Sequence, residues 1–218
     1  FLNQPIMQNF YRIVLVVLCS VSITMAQQIK TPSEFLGYEF GTQFSRNHQV
    51  VDYFKHVAST MPNQVKLEQY GETYERRPLI HAYISSEENM RNLETIRENN
   101  LKNAGIMSGA PSNTDIVIVW LSYNVHGDEA SSTEASMNTF YKLLTERQEL
   151  LKNTVVIIDP CINPDGRDRY ANWYNETKST PFDIDPQSSE HSQPWPGGRA
   201  NHYLFDLNRD WAWTSQKE

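Results

Sequence analysis

Two uninterrupted apolar runs constrain this chain more than any other feature. Residues 116–121 read Ile-Val-Ile-Val-Trp-Leu and residues 155–158 read Val-Val-Ile-Ile, with no polar side chain in either. A strand that is apolar at every position has both faces shielded, the pattern of a central strand covered by helices on either side. Residues 130–151 lie between the runs and place Ala135, Phe140, Leu143, Leu144 and Leu151 among helix formers. Strand, helix, strand in that order predicts a parallel pair with a right-handed crossover, and so an α/β layered sheet.

The flanking segments fit that frame. Residues 47–61 carry Val50, Val51, Phe54, Val57 and Ala58 at helical spacing, and Pro62-Asn63 ends the pattern. Upstream, Thr31-Pro-Ser-Glu34 suits a helix N-terminus. Residues 65–70 alternate apolar with polar, and residues 79–84 follow the turn-like Glu75-Arg-Arg-Pro78, which predicts a hairpin. Residues 87–103 read as an exposed helix with Met90, Leu93, Ile96 and Leu101 on its apolar side. Residues 172–203 turn to Pro, Ser, Asp, Asn and Gly without periodicity, a long loop of the kind that compact domains keep for function.

Charge and the N-terminus narrow the class. The 218 residues hold 19 Lys and Arg against 26 Asp and Glu, a formal charge of −7, which offers no basic face for nucleic acid. Residues 12–26 begin with Arg12, continue through the apolar stretch from Ile13, and place Thr24 and Ala26 where a signal peptidase wants small residues. Cleavage after Ala26 is expected, giving a secreted or periplasmic protein. The run is broken by Ser20, Ser22 and Thr24, so no stable membrane anchor is expected. Phe1 to Ile6 precede Met7 and read as non-native upstream residues. The chain thus divides into a leader (1–26), a lead-in segment (27–46) and the segment that carries the α/β pattern (47–218). Of the two cysteines, Cys19 falls in the leader, which leaves Cys161 without an internal disulfide partner.

The chemistry gathers where the apolar runs end, the crevice position at which open α/β sheets bind ligands. After the first run comes Ser122-Tyr-Asn-Val-His126-Gly-Asp-Glu129. His126 and Glu129 stand three apart, a spacing that aims an imidazole nitrogen and a carboxylate oxygen at one point, and both donor types suit zinc. The plainer reading is a helix start where Asp128 and Glu129 complement the dipole. After the second run comes Asn163-Pro-Asp-Gly166, strong turn chemistry in itself. Further on, Asp206-Leu-Asn208-Arg209-Asp-Trp211 sets an amide beside a guanidinium, a combination that recognises a carboxylate.

Together, and in this order, these three motifs resemble the zinc metallocarboxypeptidase family typified by carboxypeptidase A. The resemblance runs from about Asn47 to the C-terminus. It implies a three-layer α/β/α sandwich around a mixed sheet, zinc as the cofactor with His126 and Glu129 as two ligands, and Asn208 and Arg209 holding the terminal carboxylate of a peptide or protein substrate. It also implies an arginine just after an aromatic residue, placed to polarise the scissile carbonyl. Here Trp173 is followed by Tyr174, and Arg169 is the nearby candidate. The third zinc ligand and the glutamate base belong downstream of Asn208-Arg209 in that family, so the chain is expected to be a metal-incomplete N-terminal portion, inactive alone. His191 and His202 precede Asn208 and read as loop histidines. Two other functions stay open: a zinc amidohydrolase that deacylates N-acyl amino acids, and an exported binding module without turnover.

Overall fold

The computed structural model describes residues 28–112 and 116–218, so the leader and its cleavage point lie outside the described residues. The first helix, α1 (Pro32–Leu36), opens with the capping box expected there: Thr31 accepts from the Glu34 amide and Glu34 reaches back to the Thr31 amide. Gly37 closes it with φ of 78°, a left-handed conformation that suits a residue without Cβ. The second helix, α2 (Asn47–Thr60), buries Val50, Val51, Tyr53, Phe54 and Val57 along one stripe.

Strands β1 (Val65–Glu72) and β2 (Pro78–Ile84) form the expected antiparallel hairpin, with a bulge between Gln69 and Gly71. Helices α3 (Glu87–Arg91) and α4 (Leu93–Asn103) lead to β3 (Val117–Ser122). Next come α5 (Ser131–Thr145), β4 (Thr154–Asp159) and α6 (Pro164–Thr177). Strand order is β1-β2-β4-β3, with β2 antiparallel and β3 parallel to β4, so the sheet is mixed. No helix among the described residues is long and apolar enough to cross a membrane.

One face of the sheet presents Val65, Ile80, Ala82, Ile84, Val156 and Ile158, and α2 and α5 close over it with Phe54, Val57, Met137, Phe140 and Leu144. Phe54 and Phe140 stack at the centre, ring centroids 4.4 Å apart. The opposite face presents Lys66, Tyr83, Ile118 and Ile157, and α4 borders the groove above it with Leu93, Glu94 and Arg97. Farther along that face Tyr70 stacks on His81, and its hydroxyl donates to Asp159 at 2.7 Å. Helices therefore flank the mixed sheet on both sides, as an α/β/α arrangement requires.

Three expectations change, the first being that the helix over 87–103 breaks at Asn92 into α3 and α4. The run 116–121 forms β3, but β3 is an edge strand among the described residues, and Val117 and Trp120 are more than half exposed. The supposed loop from 172 begins later, because α6 continues to Thr177. Its inward side is polar: Asp165, Gly166, Arg167 and Asp168 are buried, so apolar periodicity is silent there.

Phe140→Ala removes one half of the central ring stack and is expected to cost about 3–5 kcal/mol of stability. Urea unfolding followed by circular dichroism reads this directly.

Candidate metal centre

The two parallel strands leave the sheet side by side, and backbone bonds tie their exits together. Tyr123 donates to Asp159, Ile162 to Tyr123, and Asn163 to Asn124, each at 2.9–3.1 Å. Asn124 adopts φ of 57°, a conformation that asparagine tolerates better than most residues. Its buried amide donates to the carbonyls of His126 (2.8 Å) and Glu129 (3.2 Å), which folds residues 126–129 into a closed turn.

Asn163-Pro-Asp-Gly166 begins α6. Asn163 caps it by accepting from the Gly166 amide at 2.9 Å, and Pro164 takes the first helical position, where its missing N–H costs nothing. The helix start is pressed against the 126–129 turn. A Cβ on Gly127 would fall inside contact distance of backbone atoms of Gly166, Arg167 and Gly198. A Cβ on Gly166 would meet the carbonyl oxygens of Gly198 and Ala200. Arg167, fully buried, then reaches across to the Ala130 carbonyl, the Ser45 carbonyl and the Glu134 carboxylate. A guanidinium taken out of water needs this saturation of its donors.

The turn delivers the expected pair. His126 Nδ1 lies 2.8 Å from Glu129 Oε1, with the imidazole buried and the carboxylate 61% exposed. Behind the ring, His126 Nε2 lies 3.0 Å from Asp206 Oδ1. Each ring nitrogen therefore faces a carboxylate oxygen, an acceptor when ionised; a metal taken up by Nδ1 and Glu129 would leave the ring proton on Nε2, facing Asp206. Burial pushes the Asp206 carboxyl up, but hydrogen bonds from His126 and Arg199 outweigh it and hold the group below the ordinary aspartate range.

Asp206 also begins the 3-10 turn Leu207–Arg209, accepting from the Asn208 amide at 3.0 Å. Asn208 and Arg209 are exposed on that turn and so stand beside the His126 pair through a shared aspartate. Arg169 is not brought there. Its guanidinium donates to the carbonyls of Gly197 (2.9 Å), Ala200 (3.4 Å) and Asn201 (3.3 Å), gripping the loop from inside. His191 is exposed and sits on the Asp183 carbonyl. His202 pairs with Glu75, 3.0 Å away, in a group that includes Asp165 but already contains Arg77 as its cation. Cys161 is buried, and burial pushes its thiol up to about 12.

Sequence reasoning missed Asp206 as the partner of His126, although it heads the motif that holds Asn208 and Arg209. It also missed Asn124, Arg199 and the Arg167–Glu134 pair. His126 and Asp206 stand 80 residues apart and Arg167 and Glu134 33, beyond the reach of any local pattern, whereas Asn124 and Arg199 lie within seven residues of their partners but belong to no motif that marks them.

A zinc ion fits the donor set. One imidazole nitrogen and one carboxylate oxygen converge closely enough for both to reach zinc at about 2.1 Å, and a carboxylate backs the imidazole as second-shell partners of metal ligands do. Among the described residues no third His, Cys, Asp or Glu donor joins them. The family model for zinc carboxypeptidases, Peptidase_M14, matches residues 50–218.

The chain belongs to the zinc carboxypeptidase family.

Zinc carboxypeptidases are metallopeptidases that act at peptide C-termini. No curated protein matches the chain. Among solved structures it is similar to carboxypeptidase A from Helicoverpa armigera, at 22% identity over 69% of this chain and 32% of that one, TM-score 0.46. It is similar to a metallo-carboxypeptidase from Burkholderia cenocepacia, at 16% identity over 74% and 31% of the two chains, TM-score 0.42. A third is bovine thrombin-activatable fibrinolysis inhibitor in complex with tick carboxypeptidase inhibitor, at 18% identity over 58% and 33%, TM-score 0.41. The matched part thus spans about a third of the length of these structures.

Gly127→Ala is expected to cost about 3 kcal/mol, since the added carbon meets backbone on several sides. Gly71→Ala would meet only the flexible end of Leu79 at 3.5 Å and serves as the control, neutral or stabilising by about 0.5 kcal/mol. Urea midpoints of the two variants decide the comparison.

Proposed function

We propose that the chain carries the metal and carboxylate sites of an exported, zinc-dependent metallocarboxypeptidase that removes C-terminal residues from peptides. The observation that supports this reading best is the His126–Glu129 pair, 2.8 Å apart, with Asp206 fixing the imidazole from behind. In this reading His126 and Glu129 hold zinc. Bound there, the metal supplies a Lewis acid that polarises a carbonyl and lowers the pKa of water. Asn208 and Arg209 bind the terminal carboxylate, the guanidinium through paired N–H donors and the amide through its own. Asp206 keeps that recognition turn in register with the metal ligands. The apolar stretch behind Arg12, with Ala26 after it, supports export through a cleaved leader.

A catalytic zinc site of this type uses three protein donors, and the described residues bring two together. The 218-residue chain is therefore expected to bind zinc weakly and to leave N-blocked peptides with a free C-terminal carboxylate intact.

Equilibrium dialysis carried to saturating zinc should show one weakly held ion per chain, with that uptake lost in His126→Ala and in Glu129→Ala. No stoichiometric uptake, or uptake indifferent to both substitutions, would overturn the assignment. For export, N-terminal sequencing of protein recovered from the medium or periplasm should start at Gln27. Protein retained inside the cell with residues 7–26 intact would sink that part.

A further inference from the structure

We propose that Arg199 is a positioning residue of the His126 site, pinning the Asp206 carboxylate so that one oxygen stays on the imidazole. Nε and Nη2 of Arg199 both donate to Asp206 Oδ2, at 3.2 and 3.0 Å. The other oxygen, Oδ1, takes His126 Nε2 and the Asn208 amide, each at 3.0 Å. An aspartate's terminal torsion is broad and two-fold, so a carboxylate held at one oxygen turns readily. The Asp206 side chain is 28% exposed, and water competes for it. Charge-assisted bonds on Oδ2 remove that freedom and leave Oδ1 with one direction to face.

The guanidinium acts from a fixed base. The Arg199 carbonyl accepts from Asn163 Nδ2 at 3.1 Å. Its neighbour Gly198 lies against Gly127 and Gly166, and the Gly198 amide donates to the Gln193 side chain at 2.7 Å. Arg169 grips the carbonyls on both sides, at Gly197 and Ala200. A half-exposed ion pair contributes little to global stability, so orientation of Asp206 is what this pair supplies. Arg199 lies outside all three sequence motifs. Its role deepens the proposed function and rests on the reading of His126 and Glu129 as metal donors.

The test reads the ring without metal. In proton–nitrogen NMR of the zinc-free 218-residue chain, the His126 ring signals are identified by their loss in His126→Ala, and the Nε2 proton among them by the coupling of Nε2 to both ring C–H protons. A proton held on a carboxylate exchanges slowly with water. Arg199→Ala should speed that exchange by about tenfold, on the scale of losing a hydrogen bond to a charged group, while amide signals of α2 and α5 stay in place. Arg199→Lys, which restores a cation without the fork, should fall between Arg199→Ala and the wild type. An Arg199→Ala proton that exchanges within about twofold of wild type overturns the inference. A wild-type proton as labile as in Asp206→Ala overturns it too. Zinc dialysis on the same samples keeps the two readings apart. Zinc uptake with a ring indifferent to Arg199 sinks only the positioning role, whereas a ring that responds to Arg199 without zinc uptake sinks only the metal site.

Discussion

Backbone pressed against backbone, with no side chain between, is the constraint on which the rest of this structure depends. The turn after β3, the start of α6 and residues 197–200 meet at Gly127, Gly166 and Gly198, where a single Cβ would collide with main-chain atoms. Main-chain atoms yield far less than the end of a side chain, so the three segments have one way to fit together. That junction puts His126 and Asp206 on opposite sides of one hydrogen bond, although 80 residues separate them. Glycine here serves close approach, the same use it has wherever a main chain must come near a ligand.

Around the junction the interior is unusually polar. Arg167 is the largest fully buried side chain, and it is saturated by Glu134 and two backbone carbonyls while resting near the ring of Phe44. Arg77 is shared by Glu75, Asp165 and Asp168 at the rim of the same helix. Removing one partner from such a set strands the others in a poor solvent, so the set behaves as a unit. The apolar core between α2, α5 and the sheet supplies stability of the ordinary kind. The polar set beside it determines where the loops lie.

Legibility followed that division. Apolar spacing reported α2, the hairpin and the strand-helix-strand order, because those elements bury hydrocarbon on one side. It failed for the end of α6, whose buried side is Asp165, Arg167 and Asp168, and which leans outward on Tyr170, Trp173 and Tyr174. It misjudged β3 as well, since a run apolar on both faces says nothing about which strand pairs beside it. In the candidate site, His126 and Glu129 were readable because one turn holds both. The Asp206 contact was not, since it joins segments that only tertiary packing brings together. Arg169 was proposed for the site from proximity in sequence, yet its helical phase turns it toward the loop carbonyls of Gly197 and Ala200.

The reach of the Arg167 contacts has a kinetic corollary. Its bonds to Ser45 close a chain of 122 residues, and its bond to Glu134 closes one of 33. Closing a long loop costs entropy before any contact repays it, so pairings far apart in sequence form slowly. Helices and hairpin can order early from local contacts. Asn124 can close the turn carrying His126 locally, but the seat of that turn beside Arg167 and its contact with Asp206 require the earliest and latest thirds of the polypeptide to have condensed on one another, which makes chemical competence a late event in folding.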